Sequence, residues 1–141
     1  MAQKEVTIHS VRYAEANGKW VTILKDIEAA EYLPIYMSAS QANIIKRELI
    51  PDQFGDLWGY ERFLVGRDIT GYDLESLIID EPDGNVRARL LFRKGDSIME
   101  IECPVAGAIA LAFRRKAMIF ADEDSFYTAV PDTSLLPLLT T

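Results

Sequence analysis

Apolar and polar positions along the chain change period several times, and the changes mark out its elements. Val6 and Ile8 alternate with polar neighbours, but the next apolar pair is Val11 and Tyr13. Alternation of period two is the mark of a strand, and a slip of one residue within it predicts a β-bulge near His9-Ser10. Trp20 to Leu24 is again rich in β-branched and aromatic residues, and Asn17-Gly18 lies between the two runs. Asn-Gly tolerates positive φ, so the two runs predict a hairpin with a tight turn there. A third strand, Tyr32 to Met37, contains Pro34. Proline has no N–H for a ladder, which places this strand at an edge.

The period then becomes helical. In SASQANIIKRELIP, Ser38 and Gln41 stand at capping-box spacing, Ala42, Ile45 and Leu49 share one face, and Pro51 ends the pattern. Asp52 to Tyr72 is the least patterned stretch, and a short helix is expected near Gly59 to Val65. Leu74 to Asp80 and Asn85 to Arg93 read as strands on either side of the turn EPDGN. A two-residue turn at Gly95-Asp96 pairs Ser97 to Cys103 back on the second of them. In that register Ala88, Leu90 and Phe92 share a face with Cys103, Ile101 and Met99. The other face carries Arg87, Arg89, Leu91 and Arg93, with Glu102 opposite Arg89 and Glu100 opposite Leu91.

Pro104 fits the first turn of a helix that runs to about Arg115, and Ala106, Gly107, Ala108, Ala110 and Ala112 let it lie close to a sheet. Ala117 to Ala121 is a last strand, and Asp122-Glu123-Asp124 suits the start of a final short helix. Strands and helices follow one another without βαβ alternation. The expected fold is α+β, a mostly antiparallel sheet built from hairpins with two main helices packed on it.

Composition narrows the function classes. A chain of 141 residues suits one domain, expected to span 1–141, and its net charge of -7 opposes whole-molecule attraction to nucleic acid or membrane. Any grip on phosphate therefore has to be a local basic patch. A single cysteine excludes an internal disulfide. The N-terminus MAQKEVTIHSV has no apolar signal core, and no run reaches the roughly 18 apolar residues of a membrane span, so a cytoplasmic location is expected.

The stretches YLPIYM, DEPDGNVRARLLF and AIALAFRRKAMIFADE, in this order and spacing, resemble the bifunctional nuclease family of bacteria and plants. The resemblance runs from about Val6 to Phe126. It implies an α+β fold that self-associates, with a dimer favoured, and cleavage of DNA and RNA. Some bacterial members add a C-terminal UvrB/C-like motif, which is not expected here. Where the family carries Ser-Asp before AIALA this chain has Ala106-Gly107. Gln41 stands where the family has a glutamate, and Tyr60 falls at the position of its histidine.

Phosphodiester hydrolysis calls for an activated nucleophile and positive charge, and metal-dependent nucleases cluster carboxylates, with Mg2+ or Mn2+ as the expected ion. The candidate ligands are Asp80 and Asp83, then Asp122, Glu123, Asp124 and Glu61, although Pro82 and Gly84 also make Asp80 to Gly84 a good turn. Basic candidates for a DNA or RNA surface are Arg87, Arg89 and Arg93 on one strand face, and the triplet Arg114-Arg115-Lys116. Both sets have a structural alternative, in cross-strand ion pairs with Glu100 and Glu102 and in a helix C-terminus that favours cations. Trp58, Tyr60 and Phe63 can stack bases or fill an apolar interface. His9 and Cys103 read as structural residues, and no catalytic residue is assigned. Two functions remain: a nuclease, and an oligomeric binding or regulatory module without cleavage.

Overall fold

The computed structural model describes residues 3–15, 18–49, 71–81 and 85–122. The elements in chain order are β1 (Gln3–Ala14), β2 (Lys19–Asp26), β3 (Tyr32–Met37), α1 (Ala39–Leu49), β4 (Asp73–Asp80), β5 (Arg87–Lys94), β6 (Ser97–Cys103), α2 (Val105–Arg114) and β7 (Met118–Asp122). The strands form one seven-stranded sheet in the order β3-β2-β1-β7-β4-β5-β6. Every pairing is antiparallel except β4 with β7. The α+β architecture is the one expected, and the expected helix at Gly59 to Val65 lies outside the described residues.

β1 and β2 form the first hairpin, with the register shift between Ile8 and Ser10 where the slipped alternation placed it. The connection is longer than a two-residue turn. Ala14 pairs with Lys19, and the Gly18 N–H donates to the Ala14 carbonyl at 2.9 Å. Gly18 holds the positive φ, at 67°, while Asn17 lies outside the described residues. β3 is an edge strand, as its proline requires.

The capping box of α1 is formed: the Ser38 N–H donates to Gln41 Oε1 at 3.1 Å, and the Gln41 N–H to Ser38 Oγ at 3.3 Å. β5 and β6 pair in the expected register, Ala88 with Cys103, Leu90 with Ile101 and Phe92 with Met99. The turn between them is the two residues Gly95-Asp96, with Gly95 at φ 60°.

α2 departs from an ordinary surface helix. Its residues from Ala106 through Ala112 are all buried, so it has no solvent stripe along that length. It packs on the sheet at β4, β5 and β7 and sideways against α1, which lies on β1 and β2, and its small side chains permit the close approach. Pro104 is the residue before the helix, with φ −59° and ψ 137°, rather than part of its first turn. The main core sits between the helices and one sheet face, with Ile45, Leu77, Leu90, Phe92, Ile109 and Leu111 fully buried. A fully buried side chain of this size contributes about 2–3 kcal/mol. Ala14, Val21 and Ile23 form a second, smaller buried cluster on the opposite sheet face.

β7 enters between β1 and β4, pairing Ile119 with Val6 on one side and with Leu77 on the other. It spans Met118–Asp122, so Asp122 ends a strand rather than starting a helix; Glu123 and Asp124 lie outside the described residues. Among the described residues no helix is long and apolar enough to cross a membrane.

Candidate functional site

The arginine face of β5 is built by strand parity. With Ala88, Leu90 and Phe92 in the core, Arg87, Arg89 and Arg93 must leave on the side away from the helices. Each of the three meets a carboxylate. Asp80 sits opposite Arg87 in the β4–β5 ladder and accepts its planar fork, Nε to Oδ1 at 3.0 Å and Nη2 to Oδ2 at 2.9 Å. Arg89 reaches the same Oδ2 at 3.1 Å and Glu100 Oε1 at 3.0 Å. Arg93 donates to Glu75, Nε to Oε2 at 2.5 Å, beside a second bulge in β4 between Leu74 and Ser76.

The hydrogen bond from Arg87 is the main cause holding Asp80 below the usual carboxylate range, and Asp80 raises Arg87 in return. The main partner of this face is thus Asp80 on β4, not Glu102, which reaches Arg87 only through its field. Cross-strand position is visible in the β5–β6 register, whereas Asp80 ends one strand and begins a turn-like run, so the sequence does not show it opposite Arg87.

A carboxylate with both oxygens held by guanidinium forks does not fit a divalent cation. Among the described residues, no three of His, Cys, Asp and Glu converge where they could hold a metal ion. Asp83, Glu61, Glu123 and Asp124 lie outside the described residues, as do Trp58, Tyr60 and Phe63.

The basic triplet is divided by the end of α2. Arg114 forks onto Glu48 of α1, with Nε to Oε1 at 2.6 Å and Nη2 to Oε2 at 2.5 Å, and that carboxylate side chain is only 4% exposed. Arg115 is the C-cap and Lys116 takes the left-handed conformation at φ 57°. The Ala117 N–H donates to the Ala112 carbonyl at 2.9 Å and the Lys116 N–H to Phe113 at 3.2 Å, which together make a Schellman motif. Arg115 and Lys116 are exposed. Lys116 also borders a concavity of about 460 Å³ whose apolar wall includes Ile27, Phe113 and Met118.

The positions where family residues are replaced fall in different surroundings. Gln41 caps α1, whereas Ala106 and Gly107 are buried in the first turn of α2. Cys103 is half-buried at the end of β6, and burial pushes its thiol up to about 12, so it is protonated at neutral pH. His9 is lowered by burial and then by the nearby charges of Arg12 and Lys25. A lone arginine between Val11 and Tyr13 in an apolar strand is itself a sequence signal, and Arg12 is that residue. It is buried on the sheet face opposite the helices.

The family model described as the bifunctional nuclease domain matches residues 22–131. The match opens inside β2, later than Val6, where the sequence resemblance began. No curated protein matches the chain.

Proposed function

Because the chain belongs to the bifunctional nuclease domain family, we propose that it acts on the phosphodiester backbone of DNA or RNA. The family match over residues 22–131 carries this reading, and hydrolysis is the reaction it supports. The contacts to phosphate are assigned to Arg87, Arg89 and Arg93 on the sheet face and to Arg115 and Lys116 at the end of α2. Arginine forks suit phosphate oxygens, and a phosphate can replace a surface carboxylate as their partner. Asp80, held between Arg87 and Arg89, does not fit a ligand for Mg2+ or Mn2+.

The second reading is a nucleic-acid-binding module without cleavage. One group of observations favours it: Asp80 is engaged by two arginines, Gln41 serves as a helix cap, and Ala106-Gly107 place no polar group in α2's first turn. Self-association belongs to both readings, and the exposed Ile27, Phe113 and Met118 support it.

The deciding experiment incubates purified protein with single- and double-stranded DNA and RNA, with Mg2+, Mn2+ or chelator, beside an Arg87→Ala/Arg89→Ala variant. Cleavage that the variant loses supports hydrolysis. Salt-dependent binding without cleavage selects the second reading. Neither binding nor cleavage at low salt overturns both.

A further inference from the structure

β1 holds a group of polar side chains that the nuclease reading does not use, and all of β1 precedes position 22, where the family match begins. At the bulge two residues of β1 oppose one of β2, because Ile8 pairs with Leu24 and Ser10 with Ile23. His9 is the extra residue. Its ring meets Tyr32 of β3 edge-on, with centroids 5.3 Å apart, and its Nδ1 lies 2.9 Å from Ser10 Oγ. Tyr32 pairs with Lys25, whose amine donates to the carbonyls of Asp26 and Ala29.

Two residues beyond Ser10, and so on the same face, stands Arg12 opposite Val21. Arg12 is 6% exposed and Ser10 8%, beside the buried apolar cluster of Ala14, Val21 and Ile23. The Arg12 Nε is buried without a hydrogen-bond partner. Burial lowers its pKa, and no carboxylate among the described residues offsets that. The two cations Arg12 and Lys25 thus raise a positive potential around His9 in a protein whose net charge is -7. A buried guanidinium without an acid is costly unless an anion pairs it, and its fork matches the oxygens of phosphate.

We propose that Arg12, with Ser10 and His9 at the β1 bulge, binds a phosphoryl oxyanion. Arg12 Nε and the Ser10 hydroxyl are the buried donors, and the exposed His9 ring donates at the rim. The phosphoryl group comes either from a free phosphate compound or from a nucleic-acid backbone. This site goes beyond the nuclease reading and stands without it. A bound anion also reverses the field on His9. The charged groups acting on His9 are Arg12 on its own strand and Lys25 on β2, with the Tyr32 ring of β3 against it. Both cations oppose its protonation, so an anion placed between them favours it.

His9 is the single histidine of the chain, so its imidazole signals report on the site without assignment ambiguity. The full chain is titrated by NMR with inorganic phosphate at constant ionic strength, and separately with a short single-stranded oligonucleotide, against chloride controls. The expected result is a saturable shift of His9 and a rise in its titration midpoint with phosphate and none with chloride. The oligonucleotide binds more tightly than phosphate if the backbone is the natural source, and no more tightly if it is a free phosphate compound. Arg12→Met should weaken binding by more than about tenfold, and Arg12→Lys by less. No saturable shift with either probe overturns the proposal, and so does an unchanged affinity in a folded Arg12→Met variant. Should that variant fail to fold, the wild-type titrations and Arg12→Lys still decide. Oligonucleotide binding that leaves His9 unmoved overturns this site and leaves the nuclease reading standing.

Discussion

Asp80 is the residue on which the candidate surface turns. A carboxylate that accepts three hydrogen bonds from two guanidinium groups is favoured in its charged form, and its pKa lies below the ordinary value near 3.9. Because the folded value is the depressed one, the stability from this cluster is fully present above the unfolded carboxylate pKa. It is lost as pH falls through the folded value. Carbon-detected NMR of the Asp80 carboxyl is expected to show a midpoint below that of a free aspartate. Arg87→Ala/Arg89→Ala should return it toward the ordinary range, and an unchanged midpoint would show that the two forks do not act on it. Cys103 gives a second residue-scale expectation. With its thiol at about 12 rather than 9.0, its thiolate fraction is about a thousandfold lower at neutral pH, and modification by a disulfide reagent should be correspondingly slow until urea unfolds the chain.

At the scale of elements, α2 shows how a charge run can be a terminus. Lys116 carries a positive φ of 57° where glycine is the usual choice, because the Schellman turn needs the left-handed conformation. A side chain there costs about 1 kcal/mol or more, part of which glycine's greater unfolded freedom returns. Lys116→Gly is therefore expected to stabilise the fold by about 0.5–1 kcal/mol, read as a higher urea midpoint with an unchanged slope. A lower midpoint would mean that the lysine side chain contributes more than its backbone costs.

The same run binds the two helices together through Arg114 and Glu48, and that contact joins residues 66 positions apart. Removing one side of a pair whose carboxylate is nearly buried is expensive, so Arg114→Ala should destabilise by about 2–3 kcal/mol. A cost below about 1 kcal/mol would place the pair with ordinary surface ion pairs.

The described residues form a single sheet with both of their helices against one face. Its edges are β3, interrupted by Pro34, and β6, which carries Glu100 and Glu102, and both features discourage strand-to-strand association. Association is therefore expected through side-chain surface, at the patch of Ile27, Phe113 and Met118, which are 47%, 39% and 46% exposed. Light scattering should find a dimer at micromolar concentration that Phe113→Asp dissociates. A clean monomer at high concentration would remove the proposal.

Contacts between neighbours in sequence were legible in advance. The Ser38–Gln41 capping box, the β1 bulge, the edge position of β3 and the β5–β6 register each follow from a pattern a few residues long, because backbone sterics and period-two alternation act locally. The arginine face was readable for the same reason, since strand parity puts its three side chains on one side. Other features depend on which segments meet in space. β7 lies at the sheet's centre, parallel to β4, because α2 carries the chain back across the sheet. The partner of Arg114 sits on another helix, and the partner of Arg87 and Arg89 sits on a strand whose last residue reads equally well as a turn. The burial of Arg12 is of this kind too: the slipped alternation of β1 announced the bulge, but only the packed sheet shows that the arginine beyond it is buried with its Nε unpaired.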